Sequence, residues 1–389
     1  MRYAPVFLLA LITLPGFSQA LRDINFSFQY DPAEPFTFTA KAVRTGAGWE
    51  VYYELVLQDS SQHTDQFVIQ WENRGSLDER QGSALDQLSV EKIVTPKDIH
   101  GVVKLGSSLQ VQYLTARILN NFAKRVWFFY KTLLPNYPSN GYLAQNGKPV
   151  LHSYIKNNTP VVLAGTGDQQ YIVSFYQDDF PAAVPSFSEG MGRVARGMTV
   201  DTTYTAPING TLSFSKQGLY LVQKDTIAKE GFAFRVQQDY PRLTRIESLA
   251  DPLIYICTKQ EFARVKEAKG DKKAFDKAIL AITGSPGRAK DFIRNYYKRV
   301  EWANAYFTSY KEGWKTDRGM IYILYGLPDE LFKFNDREVW TFNSSGTKTT
   351  FNFIKSQTLF DPENYVLIRE KKFQELWYDK VDLWRNARF

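Results

Sequence analysis

The stretch Gly313-Trp314-Lys315-Thr316-Asp317-Arg318-Gly319 runs directly into Met320-Ile321-Tyr322-Ile323-Leu324-Tyr325 and then Gly326-Leu327-Pro328-Asp329. Its reading decides the fold of the last third of the chain. Just upstream, Phe292, Tyr296, Val300, Ala303 and Phe307 recur at the spacing of one helical face, so a long amphipathic helix precedes it. Gly313 falls where a helix C-terminus takes a residue of positive φ. Trp314 is expected to fold back over the apolar stripe, near Tyr310 or Phe307. Thr316 and Asp317 are placed to accept from backbone N–H groups two residues on, and Arg318 to pair with a neighbouring carboxylate. Gly319 then releases the chain into a short apolar strand over Met320 to Tyr325, which Gly326, Leu327, Pro328 and Asp329 end in a second turn. On this reading every residue is a brace. The functional alternative makes Trp314, Asp317 and Arg318 an exposed polar–aromatic patch for a partner or ligand.

Around this junction the pattern is α+β. Phe262 to Lys269 and Lys272 to Ile282 read as two short helices, the second N-capped by Asp271. Glu338 to Phe342 and Lys348 to Phe353 read as strands joined by the tight turn Asn343-Ser344-Ser345-Gly346, and Tyr365 to Arg369 as another. Phe373 to Arg388 closes the chain as a helix. Its face of Phe373, Leu376, Trp377, Lys380, Val381 and Trp384 suits packing on the preceding sheet, a partner groove or a membrane surface.

Further out, periodicity changes from helical to alternating. Phe36 to Val43 and Trp49 to Leu57 form two strands joined by Thr45-Gly46-Ala47-Gly48, and Trp49, Val51, Tyr53, Leu55 and Leu57 fall on one face. Phe67, Ile69 and Trp71 repeat that alternation. Ser108 to Leu119 and Val126 to Leu134 are extended as well. After the breaker-rich Pro135 to Gly141, strands follow at Pro160 to Ala164, Gln170 to Tyr176, Thr211 to Phe214, Leu219 to Gln223 and Phe232 to Val236. The proline-punctuated segment from Asp178-Asp179-Phe180-Pro181 to Pro185-Ser186-Phe187 reads as a surface loop of the kind that binds something. The expected fold class is therefore multi-domain and β-rich. Two β-sandwich-like domains, 21–135 and 136–247, are followed by a C-terminal α+β domain, 248–389, with helices packed on a small antiparallel sheet.

Residues 1–20 read as a secretory signal: Arg2, the apolar run Val6 to Leu14, and small residues at Ser18-Gln19-Ala20. The run is too short to span a bilayer. Aromatic residues make up 15% of the chain, which favours β-rich packing. The net charge is +7, and residues 251–389 carry 25 basic against 19 acidic side chains, so the excess sits almost wholly in the C-terminal third. The basic residues are interspersed with acidic ones, which excludes a nucleic-acid site and leaves a solvated helical surface or a face for an acidic partner or lipid head groups.

Reactive chemistry is sparse. His63, His100 and His152 show no ligand spacing, so no metal is expected. Cys257 sits in the apolar run Leu253 to Cys257 and reads as a buried, inert thiol. Nucleophile-elbow, P-loop and dinucleotide fingerprints do not occur, so no cofactor and no catalytic residue is assigned. Asp178-Asp179 read as solvated turn acids, and Gly190, Gly192 and Gly197 as a loop.

The segment from Gly313 to Gly319 is identified as the signature of the GWxTD-domain proteins of the bacterial envelope. The preceding helix, the Gly326-Leu327-Pro328-Asp329 turn and the Glu338-Val339-Trp340-Thr341-Phe342 strand fall where those proteins have them. Asp179-Phe180-Pro181-Ala182-Ala183 also resembles the longer members from Bacteroidetes-type bacteria. The motif residues carried over are Gly313, Trp314, Thr316, Asp317, Arg318, Gly319, Gly326, Pro328 and Asp329. The resemblance implies an exported protein, periplasmic or peripheral to the outer membrane, that works by interaction; it carries over no catalytic residue. A weaker, fold-level similarity links Leu324-Tyr325-Gly326-Leu327-Pro328 and Val339-Trp340-Thr341-Phe342 to the small lipoprotein of the outer-membrane β-barrel assembly machine. It raises an accessory role in outer-membrane assembly or secretion. The expectation is a non-enzymatic envelope protein whose partners are other envelope proteins, with peripheral membrane contact also open. The alternative is a carbohydrate- or peptidoglycan-binding protein, with a hydrolase after it.

Overall fold

The computed structural model describes residues 19–165, 170–177, 180–189, 198–268, 270–344 and 346–389. The expected signal segment up to residue 18, Asp178, Asp179, Gly190, Gly192 and Gly197 lie outside them.

The first eight strands form one sandwich. They are β1 (Phe36–Arg44), β2 (Gly48–Leu57), β3 (Phe67–Arg74), β4 (Ser83–Ala84), β5 (Val90–Val94), β6 (Asp98–Gly106), β7 (Gln112–Asn120) and β8 (Arg125–Leu133). One sheet runs β1-β2-β6-β5 and the other β4-β3-β7-β8, all antiparallel. Alternation does what the sequence asks of it: Trp49, Val51, Tyr53 and Leu55 all turn inward and meet Ile118, Trp71 and Trp127 of the facing sheet in one core. Phe36 bridges the sheets edge-on, 5.3 Å from the Phe67 ring and 5.0 Å from that of Trp127.

The second sandwich comprises β9 (Gly141–Gln145), β10 (Lys148–Pro149), β11 (Tyr154–Lys156), β12 (Val161–Gly165), β13 (Tyr171–Tyr176), β14 (Thr202–Ala206), β15 (Thr211–Leu212), β16 (Gly218–Gln223) and β17 (Phe232–Gln237). Its sheets run β10-β9-β12-β15 and β11-β17-β16-β13-β14, with β11 and β17 parallel. The buried Tyr171 ties them together by donating its hydroxyl to the Asn140 carbonyl at 2.6 Å.

The C-terminal region is α+β. Helices α1 (Ile246–Ala250), α2 (Lys259–Glu267), α3 (Lys272–Thr283), α4 (Pro286–Phe307) and α5 (Asp317–Tyr325) precede the sheet β18 (Glu330–Lys333), β19 (Arg337–Ser344), β20 (Thr347–Lys355) and β21 (Tyr365–Leu367), and α6 (Gln374–Arg385) closes it. Asp271 caps α3 by accepting from the Lys273 N–H at 2.8 Å. Every residue of the apolar stripe on α4, from Phe292 to Phe307, is buried. The terminal helix packs internally: Phe373, Trp377 and Trp384 are buried, and the Trp384 indole donates to the Leu324 carbonyl at 3.1 Å. Its apolar face is therefore not open to a membrane or partner.

One expectation is overturned. Met320 to Tyr325 is helical, not a strand. A short, wholly apolar run has no period to distinguish the two, and the Thr316 cap decides for helix. The Gly326-Leu327-Pro328 turn thus ends a helix, which removes the strand order on which the assembly-machine likeness was drawn. Residues 21–30 also reach beyond the first sandwich. Leu21, Ile24, Phe26 and Tyr30 share a core with the C-terminal domain and with Leu77, Tyr113 and Phe128 of the first sandwich. The Phe26 N–H donates to the Leu331 carbonyl at 2.7 Å, and Asn25 accepts from the Leu331 N–H at 2.9 Å while donating to the Asp329 carbonyl at 2.9 Å. The N-terminal segment is a strap on β18. The helical and strand contents otherwise form the expected architecture: two sandwiches and an α+β domain.

Candidate functional site: the junction of two helices

The signature joins α4 to α5 through one tight turn, and close approach explains both glycines. A Cβ on Gly313 would lie 2.1 Å from the Ala303 carbonyl oxygen, and one on Gly319 only 1.9 Å from that of Gly313. Backbone on both sides leaves no room for a methyl group. Gly313 does not have the positive φ expected at a helix end; α4 ends six residues earlier, at Phe307.

Each following residue is taken up inside the fold. The Trp314 N–H donates to the Asn304 side chain at 3.0 Å, and its carbonyl accepts from the Tyr255 hydroxyl at 2.8 Å. Its ring is 5% exposed and meets Tyr255 edge-on, not the predicted Tyr310 or Phe307. Thr316 donates its hydroxyl to the Gly313 carbonyl at 2.7 Å and accepts from the Gly319 N–H at 3.0 Å, which caps α5. Asp317 makes no local turn. Its carboxylate accepts from the Leu367 N–H at 2.7 Å, at the end of β21, and forms an ion pair with Arg369, whose side chain is 1% exposed. Lys315, 4% exposed, lies 3.1 Å from Glu312. Burial raises the Glu312 carboxyl, but Arg235 and Lys315 outweigh it and hold the group below its ordinary range.

Arg318 has the expected carboxylate partner. It donates to Glu338 at 3.2 Å and lies 4.4 Å over the Tyr365 ring. Glu338, 1% exposed, also accepts from the Trp340 indole at 3.1 Å and has the Lys333 ammonium 3.8 Å away. Two cations around one buried carboxylate satisfy it and anchor α5 to β18 and β19. At the far end Gly326, at φ 88°, closes α5. Pro328 is buried, and Asp329 accepts from the Asn343 N–H at 2.6 Å, which ties the turn to β19.

The second sandwich reaches into the same junction. Arg235 of β17, 3% exposed, donates to the Tyr310 carbonyl at 2.8 Å and to Glu312 at 3.2 Å. The proline-punctuated loop, expected to be a free binding surface, is docked here through its described part. Phe180 meets Tyr310 edge-on at 5.2 Å, the Ala183 N–H donates to the Lys315 carbonyl at 3.0 Å, and Phe187 meets Trp377. What the loop binds is the C-terminal domain of its own chain.

The signature is therefore inward-facing, with Trp314, Thr316 and Asp317 buried. The exposed polar–aromatic patch does not form. Sequence reading missed Asn304, Tyr255, Arg235 and Arg369. Asn304 left a trace: it is the polar residue one turn after Val300 on the apolar stripe. The others are distant in the chain and leave none.

Among the described residues, one trio of metal-ligating type converges: Glu54, Asp98 and His100. The Lys148 ammonium stands 3.8 Å from both carboxylates, and Asp98 hydrogen-bonds His100. That lysine supplies the charge a cation would bring. No helix among the described residues is long and apolar enough to cross a membrane. The Cys257 thiol is pushed up to about 12, chiefly by burial and then by Glu261, as an inert thiol would be.

No curated protein matches the chain. Among solved structures, the titin Ig tandem domains are similar at 13% identity and a TM-score of 0.17, over 52% of this chain and 99% of that one. The family model of the GWxTD domain matches residues 218–386. The match opens at β16, so it takes in Arg235 and β17 with the whole helix junction. Residues 218–386 therefore carry a GWxTD domain.

Proposed function

We propose that this chain is an exported, non-enzymatic protein of the cell envelope whose GWxTD domain docks onto an outer-membrane assembly or secretion complex. The carrying observation is the groove between α3 and α4. It is floored by Ile279, Leu280, Ala289 and Ile293, is flanked by Lys290 and Arg294 of α4 and by Asp276 of α3, and has a volume of about 480 Å3. Leu280 is 40% exposed. The charge excess of the chain lies in this same third, so the complementary occupant is a partner-protein segment with an apolar face and acidic flanks.

Two further observations support this reading. The polar groups of the signature are engaged in internal pairs, which leaves them to hold the domain's shape. The glycan-binding alternative needs coplanar exposed aromatics on one sandwich face. Among the described residues, the well-exposed aromatics are Phe122, Tyr204, Tyr378 and Phe389, which sit on separate elements.

The test is in-cell photo-crosslinking from a benzoylphenylalanine placed at position 280, with position 122 as the control. Capture of assembly or secretion components from 280 alone, lost in Lys290→Glu/Arg294→Glu, is the expected result. Equal capture from both positions, or capture of murein fragments alone, contradicts it.

A further inference from the structure

Most sheet edges in this molecule are closed or guarded. The strap residues Asn25 and Phe26 pair with β18, and the Asp317 carboxylate takes the Leu367 N–H of β21. β4, β10 and β15 are two residues long, and β11 is three. β1, β5 and β8 carry lysine or arginine, and Lys92 of β5 shares the core-facing side with Val90 and Val94. Short edges and inward-pointing charges keep a sheet from recruiting a further strand. β14 has none of these guards. Thr202-Thr203-Tyr204-Thr205-Ala206 pairs with β13 and ends the five-stranded sheet of the second sandwich. The strand holds no charge and no proline, and its first four residues are exposed. Among the described residues, no backbone group meets its outer side. Alternate N–H and C=O groups therefore face solvent, on threonine and tyrosine residues that favour extended pairing.

We propose that β14 is a dimer edge, pairing antiparallel with β14 of a second copy of this chain about a two-fold axis at Tyr204. The occupant follows from the strand's own sequence. An axis perpendicular to the sheet keeps every side chain on its own face. Centred on Tyr204, it sets Thr203 opposite the partner's Thr205 and Thr202 opposite the partner's Ala206. Just outside the strand, Val200 falls opposite the partner's Ile208. Hydroxyl meets hydroxyl on the outer face, and no like charges meet. Thr202 and Tyr204 lie on the side of Phe175 and Val173, so the core-facing row continues across the axis. Val200 and Tyr204 are 42% and 39% exposed, apolar surface that the second copy covers. The pairing involves neither α3 nor α4, so this inference is independent of the docking reading.

The experiment is sedimentation equilibrium of the full chain over a wide concentration range. It compares wild type with Thr203→Lys/Thr205→Lys and Thr203→Lys/Thr205→Glu, and thermal melting checks that both variants fold. One strand pair buries little surface, so wild type is expected to form a weak, concentration-dependent dimer. Thr203→Lys/Thr205→Lys sets like charges opposite each other twice and is expected to dimerise about tenfold more weakly. Thr203→Lys/Thr205→Glu sets opposite charges at the same two places and is expected to dimerise at least as tightly as wild type. A wild type that stays monomeric at every concentration overturns the proposal. So does unchanged dimerisation in Thr203→Lys/Thr205→Lys, or no recovery in Thr203→Lys/Thr205→Glu.

Discussion

Asp317, in the first turn of α5, forms a buried ion pair with Arg369, just past the end of β21. The same carboxylate holds the Leu367 N–H, so one side chain fastens a helix start to a strand 50 residues later. Removing one partner of a buried pair strands the other charge and destabilises by about 3–5 kcal/mol. Asp317→Ala is expected to lose stability of that order in urea unfolding. Asp317→Ala/Arg369→Met is expected to lose clearly less than the two single changes together. Simple additivity would show that the pair does not act as a unit.

Acid sensitivity has a specific source at Glu261. Arg385 of α6 donates to both oxygens of this α2 carboxylate, at 2.7 and 2.8 Å, and holds it down to about 2 from an ordinary 4.5. A depressed carboxyl contributes stability above its unfolded pKa and loses it as pH falls through the folded value. Up to about 3 kcal/mol is therefore lost between roughly pH 4.5 and 2. Glu261→Gln is expected to flatten the stability–pH curve in that window; a curve as steep as wild type would assign the slope elsewhere.

Cys257 provides a chemical readout of the core. With its thiol pushed up to about 12, alkylation by iodoacetamide at pH 8 is expected to be roughly a thousandfold slower in the folded chain than in urea. Comparable rates in the two conditions would mean that the thiol is not enclosed by α2 and its neighbours.

Through Tyr30 the N-terminal strap is expected to stabilise the C-terminal domain, while Phe26 and Phe28 pack on Tyr130 and Phe129 of the first sandwich. Tyr30 contacts Phe307 at 4.7 Å and Trp340 at 5.6 Å, and its carbonyl accepts from the Tyr322 hydroxyl at 2.8 Å. Truncating a buried aromatic costs about 3–5 kcal/mol. Tyr30→Ala should therefore speed amide exchange in α5 and β18 while leaving β2 and β6 unchanged. Faster exchange confined to the first sandwich would refute the strap.

Much of this architecture is legible in sequence because local pattern follows local burial. The stripe from Phe292 to Phe307 and the alternation from Trp49 to Leu55 each report one buried face. Met320 to Leu324 defeats the same logic, since a segment buried on all sides carries no period. The brace was legible as a motif, but not its partners. Asp317 meets Arg369, Trp314 meets Tyr255 and Asn25 meets Asp329 across separations that no window of sequence spans. Gly313 shows the same limit: its small size answers a carbonyl on the preceding helix, not a turn of its own.

The central claim is that the signature braces the domain from within. The most direct measurement is the thermal and urea unfolding of Trp314→Ala, run beside capture of partners in cells. Trp314 is buried among α4, α5 and the Tyr255 ring, so its truncation is expected to destabilise the C-terminal domain by about 3–5 kcal/mol. Any loss of capture should then follow the loss of folded protein. A variant that unfolds like wild type yet captures no partner would contradict the account and make Trp314 a contact residue.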